Sequence, residues 1–339
     1  MSSPSLFLTQ QGRRAADRCY LMGEFELIRQ YFAAAPCAQA GEGVALGIGD
    51  DCALLQLPVG EQLAISTDTL VAGVHFPDAA DPFLLGQRAL AVSVSDLAAM
   101  GATPLGFTLA LTLPQAEAHW LQAFARGLDH MAQHCAIRLI GGDTTRGPLS
   151  LTLTVFGRLP AGMALTRHGA RVGDLLCVGG ELGDAAGALP LVLQQRRAEP
   201  VIAEALLARY WSPLPQIELG VALRGKASAA LDISDGLLAD CGHIARASSV
   251  QLIIEQAQVP VSSALRAFSG EAGALQCALS GGDDYRLAFT LPPQYLDDLL
   301  QAGWPLRVIG RVAVGQGVLL VEEQGRPVSL PQHGYQHFG

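Results

Sequence analysis

The sequence predicts a two-domain chain of α/β class, α+β in type, with mixed sheets and helices rather than a doubly wound sheet. Three observations carry this. The 339 residues exceed what a single core usually organises. Strand-like and helix-like runs follow one another without the strict alternation of a parallel sheet. No unit of ~20–50 residues repeats, which excludes a solenoid.

The elements read in order. Phe25, Ile28 and Phe32 recur at helical spacing and predict a short helix over 23–32. A turn-rich stretch over 41–51 precedes a short strand, 63–67, that ends at Ser66-Thr67-Asp68. A long apolar helix spans 82–100 and stops at Gly101. A strand over 105–113, a helix over 115–135 and a strand over 137–140 follow, the last running into Gly141-Gly142-Asp143 as a turn. An alternating strand covers 149–157, and Pro160-Ala-Gly162 marks the expected boundary between domains 23–159 and 160–339. Beyond it we expect strands at 174–178, 229–233, 250–255 and 286–291 and helices at 183–195 and 237–247. The runs 306–312 and 317–321 predict a closing hairpin.

Composition narrows the function. A formal charge of −9 argues against a nucleic-acid binder, which needs a basic stripe. It does not exclude an anionic substrate, because bound cations can reverse the local field. Seven cysteines lie singly, with no CxxC pair, and predict reduced thiols packed as small core residues in a cytoplasmic protein. No charge-free apolar run reaches ~20 residues, so no membrane span is expected. Residues 1–22 carry Arg13, Arg14 and Arg18 without a long apolar stretch and read as an N-terminal extension rather than a secretory signal.

The informative residues are aspartates. Asp50, Asp51, Asp68, Asp96, Asp143, Asp232, Asp235, Asp283 and Asp284 stand beside Gly, Ser or Thr and next to apolar runs, mostly at expected strand ends. Any one of them suits ordinary turn chemistry. Together, with few Lys or Arg nearby, they suit a hard cation such as Mg²⁺ or Ca²⁺ rather than zinc. Asp96 shares its helix face with Ala89, Val92 and Ser93, and Arg88 is too far along the helix to be its natural partner. No P-loop or protein-kinase motif is present. Gly141 to Arg146 offers backbone N–H groups, hydroxyls and a carboxylate, a plausible metal–phosphate cradle. Arg167 is a candidate phosphate clamp or an ordinary surface arginine. His130 and His134, four apart on a helix, read as an exposed face. From the residues alone, a kinase, a metal-dependent phosphatase and a nucleotide sensor all remain open.

Several segments, taken in order, resemble the thiamine-monophosphate kinase family, within the aminoimidazole ribonucleotide synthetase-like superfamily. They are Gly47-Ile-Gly-Asp-Asp-Cys-Ala53, Ile65-Ser-Thr-Asp-Thr-Leu-Val71, His75-Phe76, Val94-Ser-Asp-Leu-Ala-Ala-Met-Gly101, Gly141-Gly-Asp-Thr-Thr-Arg146, Asp232-Ile-Ser-Asp-Gly236 and Ser280-Gly-Gly-Asp-Asp-Tyr285. The resemblance implies a two-domain fold whose N-terminal sheets pair across a homodimer, with the active site between the domains. It implies transfer of the ATP γ-phosphoryl group to thiamine monophosphate with several Mg²⁺ ions. Asp51, Ser66, Thr67, Asp68, Asp96, Asp143, Asp232 and Asp235 match the family's metal ligands. Gly142, Asp143, Arg167 and Ser234 match ATP contacts, and His75, Asp283 and Tyr335 match substrate contacts. Asp68, Asp96, Asp143 and Arg167 would carry the catalysis. Asp283 and Arg286 depart from a family pattern that often has Glu at both positions; Arg286 is expected to face solvent.

Overall fold

The computed structural model describes residues 24–39 and 41–328. The expectations for residues 1–22 and for Tyr335 lie outside the described residues.

The described residues begin with α1 (Glu24–Leu27), which widens into a π-type turn over Ile28–Ala33. A small ribbon of β1 (Val44–Leu46) and β2 (Leu54–Leu55) follows. The first main sheet comprises β3 (Glu61–Val71), β4 (Thr103–Leu113), β5 (Arg138–Arg146) and β6 (Ser150–Pro160), in the order β3-β6-β4-β5. Only the β4–β5 pair is parallel. Two of these strands are longer than expected. β3 continues through Asp68 to Val71, so Ser66, Thr67 and Asp68 sit mid-strand. β5 runs straight through Gly141 to Arg146, so this segment is a strand and not a turn. In β3 polar Ser66 to Thr69 occupy both faces, and in β5 two glycines precede four polar residues, so neither strand shows an apolar period of two there.

Helix α2 (Pro82–Ala99) lies on this sheet, and α3 (Ala118–His134) lies on α2. Asp81 caps α2 by accepting from the N–H groups of Phe83 and Leu84 at 2.9 and 3.1 Å, and Pro82 supplies a preset first turn. Gly101, at φ +65°, ends it in the left-handed conformation that glycine favours. Almost every residue of α2 is buried, because it is covered from both sides.

The second sheet has the order β12-β9-β11-β7-β10-β8. Its strands are β7 (Leu175–Val178), β8 (Ala229–Asp232), β9 (Gln251–Glu255), β10 (Leu287–Leu291), β11 (Arg307–Ala313) and β12 (Gly317–Val321). The helices α4 (Asp184–Val192), α5 (Pro200–Trp211), α6 (Ile217–Leu223), α7 (Leu237–Ser248), α8 (Ser263–Ser280) and α9 (Leu296–Gln301) surround it. The expected closing hairpin does not form. β11 and β12 both pair with β9, antiparallel and parallel respectively, and β9 lies between them. A tight link at 314–316 suited a hairpin, but the apolar faces of both strands are better buried astride Leu252 and Ile254.

One apolar core draws on residues from Leu27 to Leu159 and a second on residues from Ala170 to Leu320. A third cluster joins Ala98 and Ala99 of α2 to Leu219, Leu223 and Phe289. Close helix approach makes this possible. A Cβ at Gly127 of α3 would sit 1.9 Å from the Phe83 carbonyl oxygen, and one at Gly220 of α6 would sit 2.1 Å from that of Ala98. Gly127→Ala must therefore push α3 off α2. We expect a loss of roughly 1–3 kcal/mol, read as a lower urea midpoint at unchanged slope. An unmoved midpoint would refute the close-packing account.

Candidate active site

A cavity of about 570 Å³ opens where α2 meets both sheets. Its walls include Asp68, His75, Arg88, Asp96, Asp232, Ser234, Asp235 and Asp283. Alternation along β3 sorts the first group. Ser66 and Asp68 share a face with buried Leu70 and look toward α2. Thr67 and Thr69 project from the opposite face, where their hydroxyls bond those of Thr154 and Thr152 at 2.9 Å each. Thr67 therefore reaches the cavity through its backbone rather than its hydroxyl.

From α2, Asp96 accepts a hydrogen bond from the Ser66 hydroxyl, and Ser95 donates to Asp232 at 2.6 Å. Two adjacent helix residues thus tie β3 of the first sheet to the end of β8 in the second. The Ser234-Asp235-Gly236 turn after β8 is held by Asp240 of α7. One carboxylate oxygen of Asp240 accepts from the N–H groups of Ser234, Asp235 and Gly236 at 3.0, 3.0 and 3.1 Å. The Gly281-Gly282-Asp283 loop lies against this turn. A Cβ at Gly282 would meet the Ser234 carbonyl oxygen at 2.3 Å, and the Asp283 N–H donates to that same oxygen at 2.9 Å. Glycine is required here by backbone contact.

Charge is concentrated and poorly compensated. Burial, and then the neighbouring Asp96 charge, push the Asp68 carboxyl up to about 6. The same two causes in the same order push Asp232 up to about 7, although the Ser95 hydrogen bond opposes them. Arg88 is the one Arg or Lys lining this cavity among the described residues, and it is engaged by Asp283 at 2.8 Å. An excess of buried and half-buried carboxylate with serine hydroxyls alongside fits hard divalent cations. Among the described residues, no three His, Cys, Asp or Glu side chains converge closely enough to cage one ion.

Other expected site residues lie elsewhere. Asp51, Gly142 and Asp143 line a second cavity of about 600 Å³, between the 47–53 segment and the edge strand β5. Gly142 pairs with Leu109, Leu109 with Leu153 and Leu153 with Asp68, so the two groups are three strands apart. Gly142 has φ +154°, and a Cβ there would sit 2.0 Å from the Leu109 carbonyl oxygen. Arg167 is exposed and lines neither cavity. It stands near His243, whose pKa is lowered by burial and then by Arg167, while Asp235 acts the other way.

Two expectations are corrected. Arg286 does not simply face solvent. It is half-buried, and burial lowers its pKa despite Asp284 and Asp184 nearby. Cys52 is exposed in the second cavity and is not a core residue, whereas Cys37, Cys135, Cys177 and Cys241 are buried. His130 and His134 are exposed on α3 as expected. Sequence reasoning missed Arg88, Tyr210 and Asp240. A lone arginine inside the apolar run Leu84 to Leu90 was a usable signal for Arg88; nothing local marks Tyr210.

Comparison with known proteins bears on this site. The N-terminal domain of AIR synthase related proteins matches residues 49–159. Thiamine-monophosphate kinase of Escherichia coli K12 is 47% identical over 322 residues, covering 93% of this chain and 98% of that protein. The crystal structure of thiamine-monophosphate kinase from Stenotrophomonas maltophilia K279a is similar at TM-score 0.78 and 48% identity, over 82% of this chain and 91% of that one. AaThiL complexed with AMPPCP and TMP is similar at TM-score 0.76 and 30% identity, over 84% of this chain and 89% of that one.

Asp240→Ala removes the acceptor for three N–H groups at once. We expect it to lower stability by about 1–3 kcal/mol. Hydrogen exchange at Ser234, Asp235 and Gly236 should accelerate selectively. Exchange unchanged at these three amides would show that Asp240 does not hold the turn.

Proposed function

The chain belongs to the thiamine-monophosphate kinase family, and we infer that it transfers the γ-phosphoryl group of ATP to thiamine monophosphate, giving thiamine diphosphate and ADP. This is the last step of thiamine diphosphate biosynthesis. The observation that carries the reading to this chain is the cavity in which Asp68, Asp96 and Asp232 crowd together with hydroxyl partners and one engaged arginine.

The acceptor explains these residue types. A phosphate monoester has its second pKa near ~6, so at neutral pH it is already a nucleophile and needs no general base. The obstacle is repulsion between two polyanions. Bound Mg²⁺ would neutralise phosphate charge and align the in-line displacement. Asp68, Asp96, Asp232 and Asp235, with Ser66 and the Thr67 backbone, would hold metal on the cleft side. Asp51 and Asp143 would do so beside the second cavity, which Gly142 also lines. Ser234 and Arg167 would contact ATP from the second sheet's side. His75 accepts the Val71 N–H on Nδ1 at 3.0 Å, which places the neutral ring's proton on Nε2. With Asp283, and with Tyr335 from the C-terminal segment, it would contact the acceptor.

The same reading includes a homodimer joined through the open face of the first sheet, where Leu63 and Ile65 are 39% and 59% exposed. It places the domain boundary at the end of β6, between 159 and 160, and the protein in the cytoplasm. Among the described residues no helix is long and apolar enough to cross a membrane.

Purified protein incubated with ATP, MgCl₂ and thiamine monophosphate should yield thiamine diphosphate, and free thiamine should yield none. Asp68→Asn should lower kcat by roughly 100-fold or more, because it removes charge from the metal side of the cleft. Chelation should abolish turnover, and added Mg²⁺ should restore it. Phosphate release without acceptor would favour a phosphatase and sink the kinase reading.

A further inference from the structure

Arg88 and Tyr210 are buried together at the cleft, 2% exposed each. The Arg88 guanidinium stacks 4.0 Å over the Tyr210 ring. Its Nη1 donates to the Tyr210 carbonyl at 2.7 Å, and its Nη2 donates to Asp283 Oδ1 at 2.8 Å. The Tyr210 hydroxyl donates to the His75 carbonyl at 3.1 Å. Asp283 Oδ1 also accepts from the Tyr285 hydroxyl at 3.0 Å. The pair therefore grips two loops that reach the cavity from different sheets, one through the His75 backbone and one through the Asp283 carboxylate.

A purely stabilising contact would be built differently. The Arg88 Nε–H is buried and has no hydrogen-bond partner among the described residues. Asp283 and Tyr285 both adopt the left-handed conformation, at φ +70° and +50°. Buried ion pairs are often replaceable by apolar residues without loss, and left-handed backbone at a side-chain-bearing residue costs energy. These costs converge on one loop that faces the cavity. What they secure is a carboxylate whose Oδ1 is held by two donors, beside a wall that includes Leu70, Val74 and Leu189. That combination suits an acceptor with an apolar, positively charged ring and an amine donor, and it leaves no arginine charge over for phosphate.

We propose that Arg88 and Tyr210 are positioning residues for the acceptor, setting the places of Asp283 and His75 so that the cleft recognises the organic end of the phosphate monoester. The proposal rests on the kinase reading above. Arg88→Met, Arg88→Lys and Tyr210→Phe test it by steady-state kinetics, with each substrate varied in turn, and by calorimetric titration of thiamine monophosphate. Arg88→Met should raise the acceptor KM and Kd by roughly tenfold or more, while the ATP KM stays within about twofold. Arg88→Lys should recover part of the loss, because it keeps the charge but not the flat stack. Tyr210→Phe keeps the ring and loses one hydrogen bond, so about a threefold rise confined to the acceptor is expected. It also carries the test if Arg88→Met fails to fold. Acceptor KM unchanged in both Tyr210→Phe and Arg88→Lys, or KM values rising equally for both substrates, overturns the proposal alone. A wild-type protein that makes no thiamine diphosphate overturns the kinase reading and this proposal with it.

Discussion

The structure depends on one helix that is covered from both sides. α2 can be so only because its neighbours come within backbone distance, through Gly127 of α3 near its start and Gly220 of α6 near its end. That approach brings Ala98 and Ala99 into a cluster with residues of the second sheet's surroundings. It also decides where polar side chains of the helix can go. Ser95 and Asp96 have a strand of each sheet beside them, and they bond to Asp232 at the end of β8 and to Ser66 in the middle of β3. The packing of small residues and the placing of carboxylates are thus one constraint.

The cleft pairs a crowded anionic side with a rigid organic side. On the first, Asp68 and Asp232 are raised by burial and by the shared neighbour Asp96. Crowding of this kind costs stability in the bare protein and favours whatever brings positive charge. On the second, the one arginine is consumed by a carboxylate and an aromatic ring. On the proposed reading, the two halves of a phosphate monoester, anion and organic body, would meet different chemistry across one cavity.

Much of this was legible in the sequence. α2 showed itself as a long apolar run stopped by a terminating Gly, and Asp96 stood out on its inner face. The aspartates beside Gly, Ser and Thr marked the two cavities because such residues rarely gather near apolar runs without purpose. Strand lengths were less legible. Thr67 and Thr69 look outward from β3, and Gly141 and Gly142 lie within β5, so polar or small residues mimicked turns where extended backbone continues. The Arg88 contacts were out of reach, since its partners lie 122 and 195 residues away in the chain. Nor does local pattern say that Asp51 and Asp143 fall three strands from Asp68; that follows from strand order.

The seat of β12 bears on how the chain comes to be folded during synthesis. β9 is complete by residue 255, yet its second edge waits for Gly317–Val321 to lie parallel to it. Until those last residues emerge, Leu252 and Ile254 stand on an open strand edge able to recruit another chain. The second sheet is therefore finished from its far end and late, its pairing being distant in sequence and slow to close. A nascent or prematurely ended polypeptide would carry the aspartates of the cleft and still be a hazard to its neighbours.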